Sequence, residues 1–312
     1  MKKTSLIKRL YEQRELQLMV IPGVIFFIVF AYTPMYGLII SFQNYQIGNS
    51  FLGFGSKTEW IGLTHFITFI NDPSFFLILR NTLVISLLRM LITFPAPIVF
   101  AIILNEIRSN KFKKTVQSAS YLPHFVSWVI VGGLVSQILS VNGTLNGLLM
   151  GLNIIKEPIM FLGEKSYFWY ILIGSDLWKE MGWNAIIFLA AMAAIDPELY
   201  QVANIDGANR WQRIKHITLP GINSTLIIVL LFTIGSLLMY GFEPIMQLTN
   251  NLNNKQLLET AEVIDTHVLR MGVMLGNYSY ATAIGLFRSI ASVLLLAVSN
   301  AICKKSTGTG LW

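Results

Sequence analysis

The chain has 312 residues, of which 54% are hydrophobic and only 12% are charged; a soluble domain carries about 25% charged residues, so an ordinary soluble globular protein is excluded. The net charge of +7 sits in clusters between apolar tracts, which argues for membrane orientation rather than a nucleic-acid partner. A single cysteine, Cys303, excludes an intrachain disulfide and a cysteine metal cluster, and the four histidines form no HxxxH or HExxH pair.

The first residues are basic (Lys2, Lys3, Lys8, Arg9), and the apolar run 18–42 that follows has no Asp, Glu, Lys or Arg. It is too long for the apolar region of a signal peptide, so it reads as a retained first span. A second span is expected at 81–104, kinked by Pro95 and Pro97, and a third at 125–141. The stretch 142–164 reads as an outer loop with a short amphipathic helix. Span four covers 167–195 and span five 219–248, with a kink at Pro244. The outer stretch 249–276 is long and polar, with helical spacing over 263–269, and span six covers 278–303. A segment crossing lipid must satisfy its own backbone, and tracts of about 20 residues suit helices rather than barrel strands of about 10. The predicted fold class is therefore an all-α integral membrane protein with about six transmembrane helices. Residues 1–17 form a cytoplasmic segment, 18–303 the membrane domain and 304–312 a cytoplasmic tail.

Lysines and arginines set the orientation. With the N-terminus inside, the inner segments carry Arg14, then Arg108, Lys111, Lys113 and Lys114, then Arg210, Arg213 and Lys215, then Lys304 and Lys305. The outer segments carry fewer: Lys57, Arg80, Lys156, Lys165, Lys255 and Arg270. Both termini are expected in the cytoplasm.

Charges inside a span cost at least about 2.5–3.5 kcal/mol on insertion scales, yet span four holds Asp176, Lys179 and Glu180, with Trp183 continuing their helical face. Two readings stay open: an internal ion pair tying span four to a neighbour, or a face lining a wet translocation path. Span five offers Ser236, Tyr240, Glu243 and Gln247 on one face. Tyr240 with Glu243 suits a sugar, whose apolar ring face meets an aromatic side chain while polar groups bond its hydroxyls; interfacial anchoring by the same two residues is the alternative. Arg89 and Arg288 are expected to pair with an acid on a facing helix or to reach an interface.

The inner stretch 196–220 reads as helix, turn, helix. Asp196 is a suitable N-cap with Pro197 at the first helical position, Gly207 permits a sharp turn, and Asp206 can cap the second helix or meet a basic residue of a partner. Leu199, Val202 and Ala203 make one apolar stripe; Ala208, Trp211 and Ile214 make another, flanked by Arg210, Arg213 and Lys215. An amphipathic loop lying on lipid headgroups would also fit this pattern. The segment resembles the EAA loop of ABC importer permeases: Ala203, Asp206, Gly207, Ala208, Ile217, Leu219 and Pro220 match, whereas Gln201 and Val202 depart from the first Glu-Ala and Ile214 replaces the usual aromatic. Asn81-Thr82-Leu83, Phe94-Pro95-Ala96-Pro97-Ile98, Leu104-Asn105-Glu106-Ile107, Tyr121-Leu122-Pro123, Trp183-Asn184 and the run 280–287 extend the likeness to the oligosaccharide-permease branch. The resemblance implies a sugar or oligosaccharide importer working by alternating access in the bacterial plasma membrane. It implies partners: a second homologous permease, two ATPase subunits and an extracellular solute-binding protein. It implies a coupling surface of Gln201, Ala203, Asp206, Gly207, Ala208, Arg210, Trp211 and Arg213. It implies no covalent chemistry and no cofactor in this chain, ATP and Mg being held by the ATPase; the sequence has no GxxxxGK[ST] loop. Rival readings are a membrane enzyme acting on lipid-linked sugar, with Asp176 and Glu180 as its only close intramembrane acids, and an ion-coupled transporter using Asp176 or Glu243.

Overall fold

The structure, a computed structural model, describes residues 13–46, 48, 58–239 and 241–312. In chain order the helices are α1 (Arg14–Phe42), α2 (Thr64–Ile70), α3 (Phe75–Asn105), α4 (Asn110–Tyr121), α5 (Trp128–Ile138), α6 (Thr144–Gly151), α7 (Lys165–Ala193), α8 (Pro197–Ile205), α9 (Arg210–Gly221), α10 (Asn223–Gly235), α11 (Glu243–Leu248), α12 (Lys255–Ala261), α13 (Ile264–Leu269) and α14 (Tyr278–Thr307). Two residues each of β1 (Gln43–Asn44) and β2 (Glu59–Trp60) pair antiparallel.

Helices α1, α3 and α14 are each long and apolar enough to cross a bilayer. Three further crossings follow if each of three bent pairs is one span: 110–125 with α5 (101°), α7 with α8 (71°), and α9 with α10 (63°). The chain divides into two bodies, 1–70 with 271–286 and 71–270 with 287–312. In the first body, residues Arg14–Phe27 of α1 bury no side chain, as lipid-facing residues need not. There too, Tyr280 packs edge-on against Phe69, and the Tyr45 amide donates to Ser279 Oγ at 3.0 Å.

Helix α7 organises the second body. Its residues enter two packed clusters: Phe168, Leu172 and Ile173 with Ile85, Ile245 and Leu257, and Ala185, Phe188 and Met192 with Ala101 and Ile222. Close approach is permitted by small residues, as expected where lipid removes any hydrophobic drive between helices. A β-carbon on Gly182 would run into the Ser120 carbonyl, and one on Gly132 into Gln247.

Helix α3 is a single continuous element. The kink expected at its prolines takes the form of a π turn over Arg89–Thr93, where the Phe94 amide donates to the Arg89 carbonyl at 3.1 Å. The widened turn makes room for the ring of Pro95, which opens the next α-helical stretch without needing an N–H.

Two expectations need correction. The third span is not a helix over 125–141. Only Trp128–Ile138 is helical there, reaching about 17 Å of a core about 30 Å thick. Polar α4, whose lysines lie at its start, packs its far end at Ser120 beside the middle of α7 at Gly182. Span five is not one helix either. It bends at Ile222, stops at Gly235 and restarts at Glu243, because Gly241 adopts φ +87° and Pro244 sits where helices begin. Ser236 and Glu243 therefore do not share a helical face, and Tyr240 lies outside the described residues. The polar stretch 249–276 carries a helix where the spacing over 263–269 predicts one, α13, and it is packed rather than exposed. Glu262, Asp265, Thr266 and His267 are buried, and the segment is bonded to a distant part of α3: Asn81 Nδ2 donates to the Glu262 carbonyl at 3.0 Å, and the Ile264 amide donates to Thr82 Oγ1 at 3.1 Å.

Candidate functional site

The loop between α7 and α10 is built from caps and a turn. Asp196 Oδ1 accepts from the Glu198 amide at 2.9 Å, with Pro197 at the first helical position of α8. Helix α8 ends at Asp206, and Gly207 takes φ +75°, a left-handed shape that lets the Ala208 amide return to the Ala203 carbonyl at 2.8 Å. The cap of α9 is Asn209, not Asp206. Asn209 Oδ1 accepts from the Gln212 amide at 2.9 Å while Gln212 Oε1 accepts from the Asn209 amide at 2.7 Å, a reciprocal box. The Asn-x-x-Gln spacing in the sequence carries that signal.

The apolar residues of this loop point outward. Ile205 is 86% exposed and Trp211 69%, and Leu199 and Val202 are more than half exposed. Gln201, Asp206 and Arg210 are also exposed, while Ala203, Ala208 and Arg213 are half-buried. The loop is tied down from behind. Tyr200 and Thr218 hydroxyls lie 3.0 Å apart, and Arg213 Nη1 donates to Asn204 Oδ1 at 2.5 Å. Glu106, at the end of α3, stands 4.0 Å from Arg210 Nε and 3.9 Å from Arg213 Nη2.

Within the bundle, Asp176, Lys179, Glu180 and Trp183 do share a face of α7: Asp176 meets α3, while the other three gather about His124. Arg89 Nε donates to Asp176 Oδ2 at 3.0 Å, so the acid paired with Arg89 is Asp176. Lys179 Nζ donates to Glu180 Oε1 at 3.0 Å and to the His124 carbonyl at 2.6 Å. His124 Nδ1 lies 2.7 Å from Glu180 Oε2, and its ring stacks flat on Trp183 at 4.3 Å. Arg288 pairs with Asp265, whose other oxygen accepts from the Gly241 amide at 2.7 Å.

Two cavities adjoin this face. One of about 490 Å³ is lined by Arg89, Thr93, Trp183, Asn184, Thr233 and Ser236. The other, of about 380 Å³, is lined by Trp128, Asp176, Glu180 and Glu243 and shares Arg89 and Asn184 with the first. Thr93 Oγ1 is buried in the first cavity with no protein hydrogen-bond partner. The sequence singled out Asp176, Glu180, Trp183 and Glu243 for this region but passed over Thr93, His124 and Trp128. Nothing in their spacing joins them to α7; the π turn of α3 supplies Thr93, and the turn at 122–125 brings His124 and Trp128. No group of His, Cys, Asp and Glu able to hold a metal occurs among the described residues.

Outside the spans, Glu262 is buried, which disfavours its charge, but the His267 hydrogen bond and the Arg270 charge hold its carboxyl below the ordinary glutamate range.

No family model matches the chain. It is 42% identical over 309 residues to the protein LplB of Bacillus subtilis (strain 168), covering 99% of this chain and 94% of that protein. It is 42% identical over 312 residues to the polygalacturonan/rhamnogalacturonan transport system permease protein YteP of the same strain, covering 100% and 94%. A chain in the crystal structure of a bacterial ABC transporter involved in the import of the acidic polysaccharide alginate superposes with a TM-score of 0.86 at 37% identity, covering 97% of this chain and 99% of that one. A chain of a bacterial alginate ABC transporter in complex with alginate pentasaccharide-bound periplasmic protein gives the same TM-score and identity over 98% and 99%.

Proposed function

Since the chain belongs to the permease subunits of carbohydrate ABC importers, we propose that it forms one half of a glycan path, energised by two separate ATPase subunits and supplied by an extracellular binding protein. The chain is a transport subunit in a membrane, not an enzyme. The observation that carries the coupling role is the outward-facing apolar set Leu199, Val202, Ile205 and Trp211 on two short helices about Gly207. Soluble surfaces rarely leave such residues together unless a partner covers them. Gln201, Ala203, Asp206, Ala208, Arg210 and Arg213 complete that surface, and Glu106 behind it joins the loop to α3. ATP and Mg bind the partner ATPase. Closure of the two ATPases pushes the loop, and α3 carries the displacement to Arg89 at the cavities.

Arg89, Thr93, Asp176, Glu180, Trp183, Asn184 and Glu243 line the path for a sugar or oligosaccharide. Aromatic rings there meet pyranose faces, and the hydroxyl, amide and carboxylate groups bond sugar hydroxyls. The names of YteP and of the alginate importer support a cargo cut from a polysaccharide. A second related permease encloses the other side of the path, which opens alternately outward and inward across the plasma membrane, both termini of this chain being cytoplasmic. The test is reconstitution of this chain with the second permease, the ATPase and the binding protein in liposomes. Oligosaccharide uptake should require ATP and the binding protein. Uptake that instead follows an imposed ion gradient, without ATP, overturns the reading.

A further inference from the structure

Behind the loop, between the end of α3 and the start of α9, three guanidinium groups surround one carboxylate. Arg108, Arg210 and Arg213 line a cavity of about 450 Å³ together with Glu106 and Tyr200. A second cavity of about 470 Å³ shares Glu106, Arg108 and Arg210 and is walled by Ile102, Ile103 and Ile214.

Glu106 meets two of these cations only at the edge of ion-pair range. Its Oε2 stands 3.9 Å and 4.0 Å from Arg213 and Arg210, beyond hydrogen-bond reach. Arg108 is exposed and makes no ion pair among the described residues. Arg213 Nε is buried without a protein hydrogen-bond partner, a costly state for a charged group. With three arginines against one glutamate facing the two cavities, the lining keeps a surplus of two positive charges. Arginine forks match the tetrahedral oxygens of a phosphate. We infer that this pocket binds a phosphate group, carried by an anionic lipid headgroup or free in solution, and that the bound anion holds the α3 end and the α9 start together. Exposed Ile103 beside the pocket suits an acyl chain running away from a headgroup.

The whole transporter, with its second permease and ATPase, is placed in nanodiscs of phosphatidylcholine, with and without phosphatidylglycerol. Retained phosphatidylglycerol is counted by native mass spectrometry. Inorganic phosphate is titrated calorimetrically in the phosphatidylcholine discs. Either retention of phosphatidylglycerol or binding of phosphate, weakened about tenfold by Arg108→Gln, supports the site, and which of the two responds names the source. Arg108→Lys, keeping the charge but not the fork, should lose less. Basal ATPase in phosphatidylcholine should be the same for all three proteins. If wild type and Arg108→Gln retain the lipid equally and neither binds phosphate, the site does not exist. That outcome leaves ATP-driven uptake intact, so it is separable from a failure of the transport reading.

Discussion

Single positions in the loop separate two roles that the sequence had merged. Of the two roles open to Asp206, capping α9 or meeting a basic residue of a partner, the first belongs to Asn209. Asn209→Ala should therefore loosen the loop by about 1 kcal/mol, read as faster amide exchange over Arg210–Arg213, whereas Asp206→Ala should leave that exchange unchanged. Equal acceleration in both variants would return the cap to Asp206. Gly207→Val forces a β-branched side chain into φ +75°, at a cost of about 1–3 kcal/mol. Insertion should survive, while co-purification of the ATPase and sugar uptake should fall together. Glu262 belongs to this scale too. Its folded carboxyl titrates below the ordinary glutamate range, so its pairing with His267 and Arg270 contributes stability that is complete above that range. The contribution disappears as pH falls through the depressed folded value. In detergent, the thermal midpoint should decline on acidification, and Glu262→Gln should flatten that decline; superimposable acid limbs would contradict it.

At the scale of elements, the ion pair between α3 and α7 sits where the π turn places Arg89. Arg89→Gln leaves a buried carboxylate at Asp176 without its cation, which should cost about 3–5 kcal/mol, and Asp176→Asn gives a related loss. Replacing both by Met and Leu should recover much of the stability, as thermal unfolding of the detergent-purified protein will register. A double variant as unstable as the sum of the singles would mean that the two side chains act apart. Long uniform elements were legible in the sequence: α7 begins and ends within two residues of 167–195, and α14 begins at the expected Tyr278. What was not legible is the packing of polar stretches against partners distant in sequence. Helix α4 has lysines at its start and Ser120 against Gly182. Helix α13 follows the helical spacing read over 263–269, but its burial of Asp265 and His267 does not. Hydropathy counts such residues as solvent-seeking, and only a partner distant in sequence reverses that. The break in span five had local signals, Gly235, Gly241 and Pro244, but they predict a kink as readily as an interruption.

For the whole molecule, the expected membrane orientation can be mapped by labelling single cysteines from outside in a Cys303→Ser background. Asn254→Cys should react, whereas Asn110→Cys and Asn209→Cys should not. Strong external labelling at Asn209 would place the coupling loop on the wrong side for an ATPase and undo the transport mechanism with it. The candidate site was partly legible at this scale. Charge on α7 announced a special face, but its partners arrive from α3 and the turn before α5, sequence-distant segments that no spacing rule connects. Asp265 is the clearest case of such late connection. It accepts from the Gly241 amide and pairs with Arg288, so the interrupted fifth span is fastened by residues that leave the ribosome after it. During biosynthesis, Gly241 enters the membrane before its acceptor at Asp265 exists, and Asp265 before its cation at Arg288. The nascent permease passes through an interval in which this corner is made but unlatched, and a translation stop between Asp265 and Arg288 should trap it there, open to membrane proteases until the last helix is supplied.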